Sequence, residues 1–254
     1  MLIMLPLFKS HYSIGKSILT LDEPSETLDT DDGATSIFSL CQSEGLKEVC
    51  LVEDSPAGFL QARKVSMSHD IHLVFGLRLK IQSTVITDGA NGVHKIILFA
   101  LNDNGIKLLN KIYSRTYSGG HSISSYKMIE DHWDESSLML AVPFYDSFLY
   151  ENSFSFSSCI PNFNFTSPIF FLEQNNLPTD FILRDVVKNF ANESGFDTFE
   201  AKSIYYHLRS DVEAFQTYKC LCNRNMGRKS TLSKPNLDGF GSKEFSFESW
   251  LENK

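Results

Sequence analysis

The side chains able to carry chemistry are dispersed along the 254-residue chain. Five cysteines, Cys41, Cys50, Cys159, Cys220 and Cys222, are odd in number, and no two stand at C-x-x-C spacing. A disulfide framework and a zinc ribbon both need paired thiols at set distances, so neither is indicated. Reduced, mostly buried thiols of a cytosolic protein fit instead. The sequons at Asn164 and Asn192 then carry no meaning. Neither Cys50 nor Ser55 has a histidine and an acid arranged beside it in the sequence, so nucleophilic catalysis finds no support. His69 and His72 flank the start of an apolar run and read as structural, and His121 follows Gly119-Gly120 in a loop.

These side chains need elements to position them, and short apolar runs alternate with helical patterns along most of the chain. Strands are expected over Leu2–Phe8, Glu48–Val52, His72–Phe75, Lys95–Leu101, Leu138–Val142, Ile169–Leu172 and Thr198–Ala201. Helices are expected over Ser36–Glu44, Ala57–Met67, Asp103–Tyr113, a segment capped by Thr179 and ending near Gly195, and Asp211–Cys222. Strand–helix alternation predicts an α/β fold with a mostly parallel sheet, either open and doubly wound or closed as a barrel.

Two stretches break this rhythm. Asp22–Asp32 holds six acids in eleven residues and reads as an exposed loop. Phe144–Phe165 is rich in Phe and Ser without a clean period, and reads as a surface loop pinned by its aromatics or as a contact face. From Met226 the chain turns polar and Gly-rich, as an extension leaving the core would.

Composition bounds the function. A hydrophobic fraction of 42% and a charged fraction of 21% are ordinary globular values. The formal net charge of −8 excludes a surface that is basic overall for nucleic acid, leaving room for a local basic patch. The apolar start, Met1–Leu7, is too short for a signal peptide or a membrane span, so a soluble cytoplasmic protein with no membrane partner is expected.

The ordered set of segments resembles a known family. LFKSHYSIG is similar to a first motif H-x-H-S-x-Y-S, with Tyr12 and Ser13 retained. EVCLVEDS stands where that family has a strand ending in T-D-H, and HLVFGLRL where it has a strand ending in a glutamate. HKIILFALNDNGIKLLNKIYSRTY, FFLEQNN and SIYYHLRSDVEAFQTYKCLC follow in the family's order. The family is the PHP (polymerase and histidinol phosphatase) domain of bacterial DNA polymerase III alpha subunits. The resemblance implies a distorted seven-stranded β/α barrel of the PHP type over residues 1–225. Residues 226–254 then resemble the link toward a polymerase domain.

An active PHP domain gathers His, Asp and Glu at strand ends around divalent metals that activate water for phosphoester hydrolysis. Here the resemblance puts other residues at those positions. The two histidines of the first motif fall on Leu7 and Lys9, the T-D-H histidine on Ser55 with Asp54 surviving, and the third-strand glutamate on Arg78. The late D-x-H falls on Ile204 and Tyr206, with His207 displaced by one residue. The family's D-G aligns with Lys16-Ser17, or with Asp32-Gly33 if the acidic loop is an insertion. His11, beside the first motif, is a further candidate, although a lone histidine is more often a hydrogen-bonded structural residue. Remnant metal positions are thus Leu7, Lys9, Asp54, Ser55, Arg78 and Tyr206, with Lys16, Asp32, His11 and His207 as pocket charges.

Lys9 and Arg78 are more than lost ligands, because a fixed cation repels a metal. They are expected to replace the metal charge and to pair with surviving acids such as Asp54. The implied function is a non-catalytic replication module that braces a polymerase body or docks an exonuclease subunit, with at most weak DNA contact and no cofactor. The alternatives are a metal-dependent phosphoesterase or 3′–5′ exonuclease with atypical ligands, and a free-standing binder that grips phosphate with a cationic pocket. No polymerase carboxylate triad is present, so polymerase activity would need a longer protein.

Overall fold

The apolar runs become strands because each is bounded by polar residues or turn formers. In the computed structural model, residues 4–24, 34–83, 92–118, 120, 122–155, 159–222 and 242–254 are described. Among them the strands are β1 (Leu5–Phe8), β2 (Glu48–Glu53), β3 (His72–Gln82), β4 (Val93–Ala100), β5 (Ser124–Ser125), β6 (Leu138–Val142), β7 (Ile169–Leu172) and β8 (Thr198–Ile204). The helices are α1 (Ile37–Ser43), α2 (Phe59–Ser68), α3 (Asp103–Ser118), α4 (Tyr126–Glu130), α5 (Phe148–Phe154), α6 (Asp180–Ser194), α7 (Val212–Cys222) and α8 (Phe247–Asn253).

The strands pair in the order β2-β1-β8-β7-β6-β4-β3-β5, and β2 pairs with β3 as well. The pairing order therefore returns to its start through seven strands, as in an α/β barrel. The sheet is mixed rather than parallel throughout, because β4 runs antiparallel to both β3 and β6. The β3–β4 connection, Ser83 to Gly92, spans ten residues. That is shorter than the roughly dozen residues a parallel crossover needs.

Two compact units divide the chain. One comprises residues 1–74, 174–178 and 201–254, the other 75–173 and 179–200. In the first, β1 lies parallel between β2 and β8, with Leu7 level with Cys50 and Ser203, and Phe8 level with Leu51 and Ile204. Ser36 caps α1 by accepting from the Phe38 amide, and Ile37, Leu40 and Cys41 are buried as the helical spacing predicts. Gly58 lies just before α2, where a Cβ would come within 2.8 Å of the Tyr12 ring.

Residues 242–254, assigned from sequence to the extension, pack within the first unit. Phe245, Phe247 and Trp250 are buried there, and Trp250 Nε1 donates to the Met4 carbonyl at 2.9 Å. Arg209 holds the same segment by donating to Glu244 and Glu252.

In the second unit, α3 lies close to Ser137. A Cβ on Gly105 would fall 2.2 Å from the Ser137 carbonyl, so only glycine permits this approach. The Phe-rich stretch from Phe144 is not a plain loop. Ser147 caps the short helix α5, and Phe148 packs against Phe163, Phe170 and Phe190 with ring centroids 5.2–6.4 Å apart. Seven residues are too few to show a helical period. The Thr179 cap is also corrected: its backbone is already helical and its side chain makes no capping bond. At the other end Gly195, at φ 71°, closes α6 in the left-handed conformation.

Candidate functional site

In the first unit the parallel strands β1 and β2 end side by side, and the chain leaves both through polar residues. Leu7 and Lys9 are two apart, and strand alternation puts them on one face with Cys50, Val52 and Asp54. Lys9 directly follows β1, and Asp54 directly follows β2. Lys9 Nζ donates to Asp54 Oδ1 at 2.9 Å. The lysine side chain is 5% exposed and that of Asp54 41%, so the pair joins a buried cation to a carboxylate that still reaches water.

Glu53, the last residue of β2, falls on the opposite parity and is fully buried. One of its oxygens accepts the Ser10 amide at 2.8 Å, and the other accepts a short bond from the Ser13 hydroxyl. Ser13 Oγ in turn accepts the Asp54 amide at 2.9 Å. The turn after β1 is thus stapled to the end of β2. Burial pushes the Glu53 carboxyl above its ordinary range, while the Lys9 charge and the two serines pull it back. Sequence reading missed Glu53 and the role of Ser13. The available signal was a glutamate ending the apolar run EVCLV.

This donor set does not fit the metal cluster that the resemblance implies. A protonated lysine offers no lone pair. Two unit charges about 4 Å apart interact by ~4 kcal/mol at an effective dielectric of 20, and a divalent ion beside a fixed cation doubles the repulsion. Among the described residues no group of three or more His, Cys, Asp or Glu is placed to hold a metal.

The other candidate positions serve varied ends. Leu7 is buried within β1. Ser55 caps the 3-10 turn Pro56–Gly58. Tyr206 is buried against Phe215, bridges to Ser246 and donates to the Ser242 carbonyl at 3.4 Å, so it helps seat the C-terminal segment. His207 is half-buried near the Phe247 ring, and its Nδ1 has no hydrogen-bond partner among the described residues. Burial lowers its pKa against the raising influence of Asp211 and Glu248. The His11 ring packs tilted against Tyr12, centroids 4.5 Å apart, with Nδ1 3.3 Å from the Leu19 carbonyl, which is a structural role. Lys16 lies in the turn after β1, where its amide donates to the Ser13 carbonyl. Asp32 and His121 lie outside the described residues.

Arg78 belongs to the second unit, within β3 and level with Ile97 of β4. It donates to the Tyr145 carbonyl at 3.0 Å and to Asp146 Oδ2 at 3.3 Å. Lys95 Nζ reaches the same Asp146 oxygen at 2.6 Å. Nearby in that unit, the Tyr145 hydroxyl donates to Asp180, and Arg184 makes a bidentate pair with Glu200 at 3.0 and 2.6 Å. Asp146 and Lys95 were not foreseen from sequence.

No protein-family model matches the sequence, and no curated protein matches it. Among solved structures the chain is similar to an amidohydrolase from Chromobacterium violaceum, a structure with bound sulfate and no metal. Identity is 9% and the TM-score 0.39, over 78% of this chain and 88% of that one. A likeness of this size says nothing about the chemistry of the present chain.

Proposed function

We propose that the chain is a non-catalytic PHP-like module of the DNA polymerase III alpha type, acting in replication as a structural or partner-docking domain. The observation that carries this reading is the Lys9–Asp54 pair. It stands where the resemblance calls for a metal-ligating histidine and its neighbouring acid. An ammonium there neutralises the surviving carboxylate in place of a metal, and the stapled Ser10–Ser13 turn holds it without a water-activating ion. The replication setting is supported by the ordered motifs of the sequence, and the partners that fit it are a polymerase body or an exonuclease subunit.

Two measurements test the proposal. Purified protein should contain substoichiometric zinc and manganese, and should leave single-stranded DNA intact in the presence of added manganese. Stoichiometric metal, or cleavage lost in a Asp54→Asn variant, would instead establish the metal-dependent phosphoesterase reading. Failure to retain an exonuclease or polymerase subunit of its host in pull-down would remove the docking role.

A further inference from the structure

Residues 244–252 sit against the first unit as a bound peptide sits on a receptor. The chain leaving β8 takes them up as an added strand. The Tyr205 amide donates to the Phe245 carbonyl at 2.9 Å, the Phe247 amide donates to the Tyr206 carbonyl at 2.9 Å, and Tyr206 and Ser246 form a parallel bridge. The aromatic side chains dock separately. Phe245 stacks on Tyr205 with ring centroids 5.4 Å apart, Phe247 packs against Phe8 at 5.8 Å, and buried Trp250 donates to the Met4 carbonyl. Charge closes the rim, because Glu244, Glu248 and Glu252 recur every four residues and all meet Arg209. Its guanidinium donates to Glu244 at 3.1 Å and to Glu252 at 2.8 and 2.6 Å, and its amide donates to Glu248 at 2.7 Å. Strand addition with side-chain pockets is a mode by which folded domains hold segments of other chains.

From this arrangement we infer that the groove is a docking site for the C-terminal segment of a second copy of the chain, exchanged reciprocally between two molecules. Nineteen residues, 223–241, join α7 to Ser242. At roughly 3.3 Å per residue a connection of that length reaches at most on the order of 60 Å, so it does not confine the segment to its own groove. The contacts made within one molecule and between two are the same. What differs is the concentration at which the connection presents the segment, about 1 mM. The closed monomer therefore prevails in dilute solution, and the exchanged pair gains where copies are crowded together. The plain alternative is a permanent anchor for the end of the chain. Buried aromatics suffice for an anchor, whereas a rim of part-exposed charges adds little stability and acts instead on which segment docks and in what register. The inference is independent of the replication reading and of the Lys9 end, and failure of either would leave it standing.

The test mixes two charge-reversed forms of the full chain. One carries Glu248→Lys and Glu252→Lys, the other Arg209→Glu. Each is mismatched with its own segment, and both closures are matched only when the two forms exchange segments. At about 20 µM, some fiftyfold below the concentration set by the connection, each form alone should be monomeric and the equimolar mixture should form a 1:1 dimer in light scattering. Circular dichroism checks that both forms fold. A mixture that stays monomeric with both forms folded would overturn the inference and leave the segment as an anchor. Should the Arg209→Glu form not fold, a labelled peptide of residues 242–254 takes its place. It should bind the Glu248→Lys, Glu252→Lys form at least tenfold more tightly than it binds the parent, whose own segment competes, and equal or absent binding to the two would overturn the inference equally.

Discussion

Lys9 sits between two carboxylates with different needs. Asp54 is part-exposed and can be hydrated, whereas Glu53 is fully buried and depends on its surroundings for any charge it carries. Removing the lysine therefore harms Glu53 more than Asp54. Lys9→Met should destabilise the fold by about 2 kcal/mol and Asp54→Asn by about 1 kcal/mol, since half the pair is solvent-screened. The sign of the pH dependence follows from the raised Glu53 carboxyl. Its contribution is fully present below its ordinary value of 4.5 and is lost as pH rises through the folded value. Without Lys9 the folded value climbs further, so the Lys9→Met penalty should grow between pH 4 and pH 7. Urea midpoints at the two pH values read this directly, and an equal penalty at both would show that Lys9 is not the counter-charge of Glu53.

At the scale of elements, legibility varied with how local the cause was. β6 and β7 match their apolar runs residue for residue, because Ser137 and Pro143 bound the one and Pro168 and Glu173 the other. β3 was foreseen as four residues and is eleven, since its second half buries Leu77, Leu79 and Ile81 and turns Arg78, Lys80 and Gln82 to the other face. That alternation was in the sequence, but the charges masked it. α5 was hidden because seven residues show no helical period and the rings that pack on it, Phe170 and Phe190, lie far along the chain. The Lys9–Asp54 pairing was legible once two strand ends were placed side by side. Asp146 as the partner of Arg78 was not, because a loop's backbone conformation selects it.

The aromatic layer of the second unit carries its own titration. His94, on β4, is 2% exposed, its Nε2 lies 2.9 Å from the Tyr126 hydroxyl and its Nδ1 3.2 Å from the Gly92 carbonyl. A neutral imidazole satisfies both contacts, donating from Nδ1 and accepting at Nε2. Burial lowers its pKa to about 4. The unfolded chain takes up the proton first, so stability should fall as pH drops from 6.5 through 4, by up to about 3 kcal/mol at 1.36 kcal/mol per pH unit. His94→Gln should remove that part of the acid sensitivity while costing stability at pH 7. Denaturation curves at pH 7 and pH 4.5 for both proteins decide it, and parallel losses would refute the assignment.

For the whole molecule, the question is whether ions or side chains hold the strand ends together. A barrel stabilised by bound metal owes part of its stability to binding linkage, about 2.7 kcal/mol when the free ion is at 100 times its Kd. For a chain of this length that corresponds to roughly 5–10 °C in Tm, all of it removable by a chelator. Here the end of the first unit is closed by covalently attached groups: the Lys9 ammonium, the Ser10 amide, the Ser13 hydroxyl and the buried Glu53. None of these leaves when divalent ions are stripped. Prolonged dialysis against EDTA should therefore leave Tm unchanged within about 1 °C, and adding zinc or manganese back should not raise it. Because two compact units divide the chain and the second holds Trp133, unfolding should be followed by two probes, Trp250 fluorescence in a Trp133→Phe background for the first unit and far-ultraviolet circular dichroism for the whole. A chelator-induced drop seen at Trp250 would mean that the lysine coexists with a metal, and the side-chain account of this barrel end would fall.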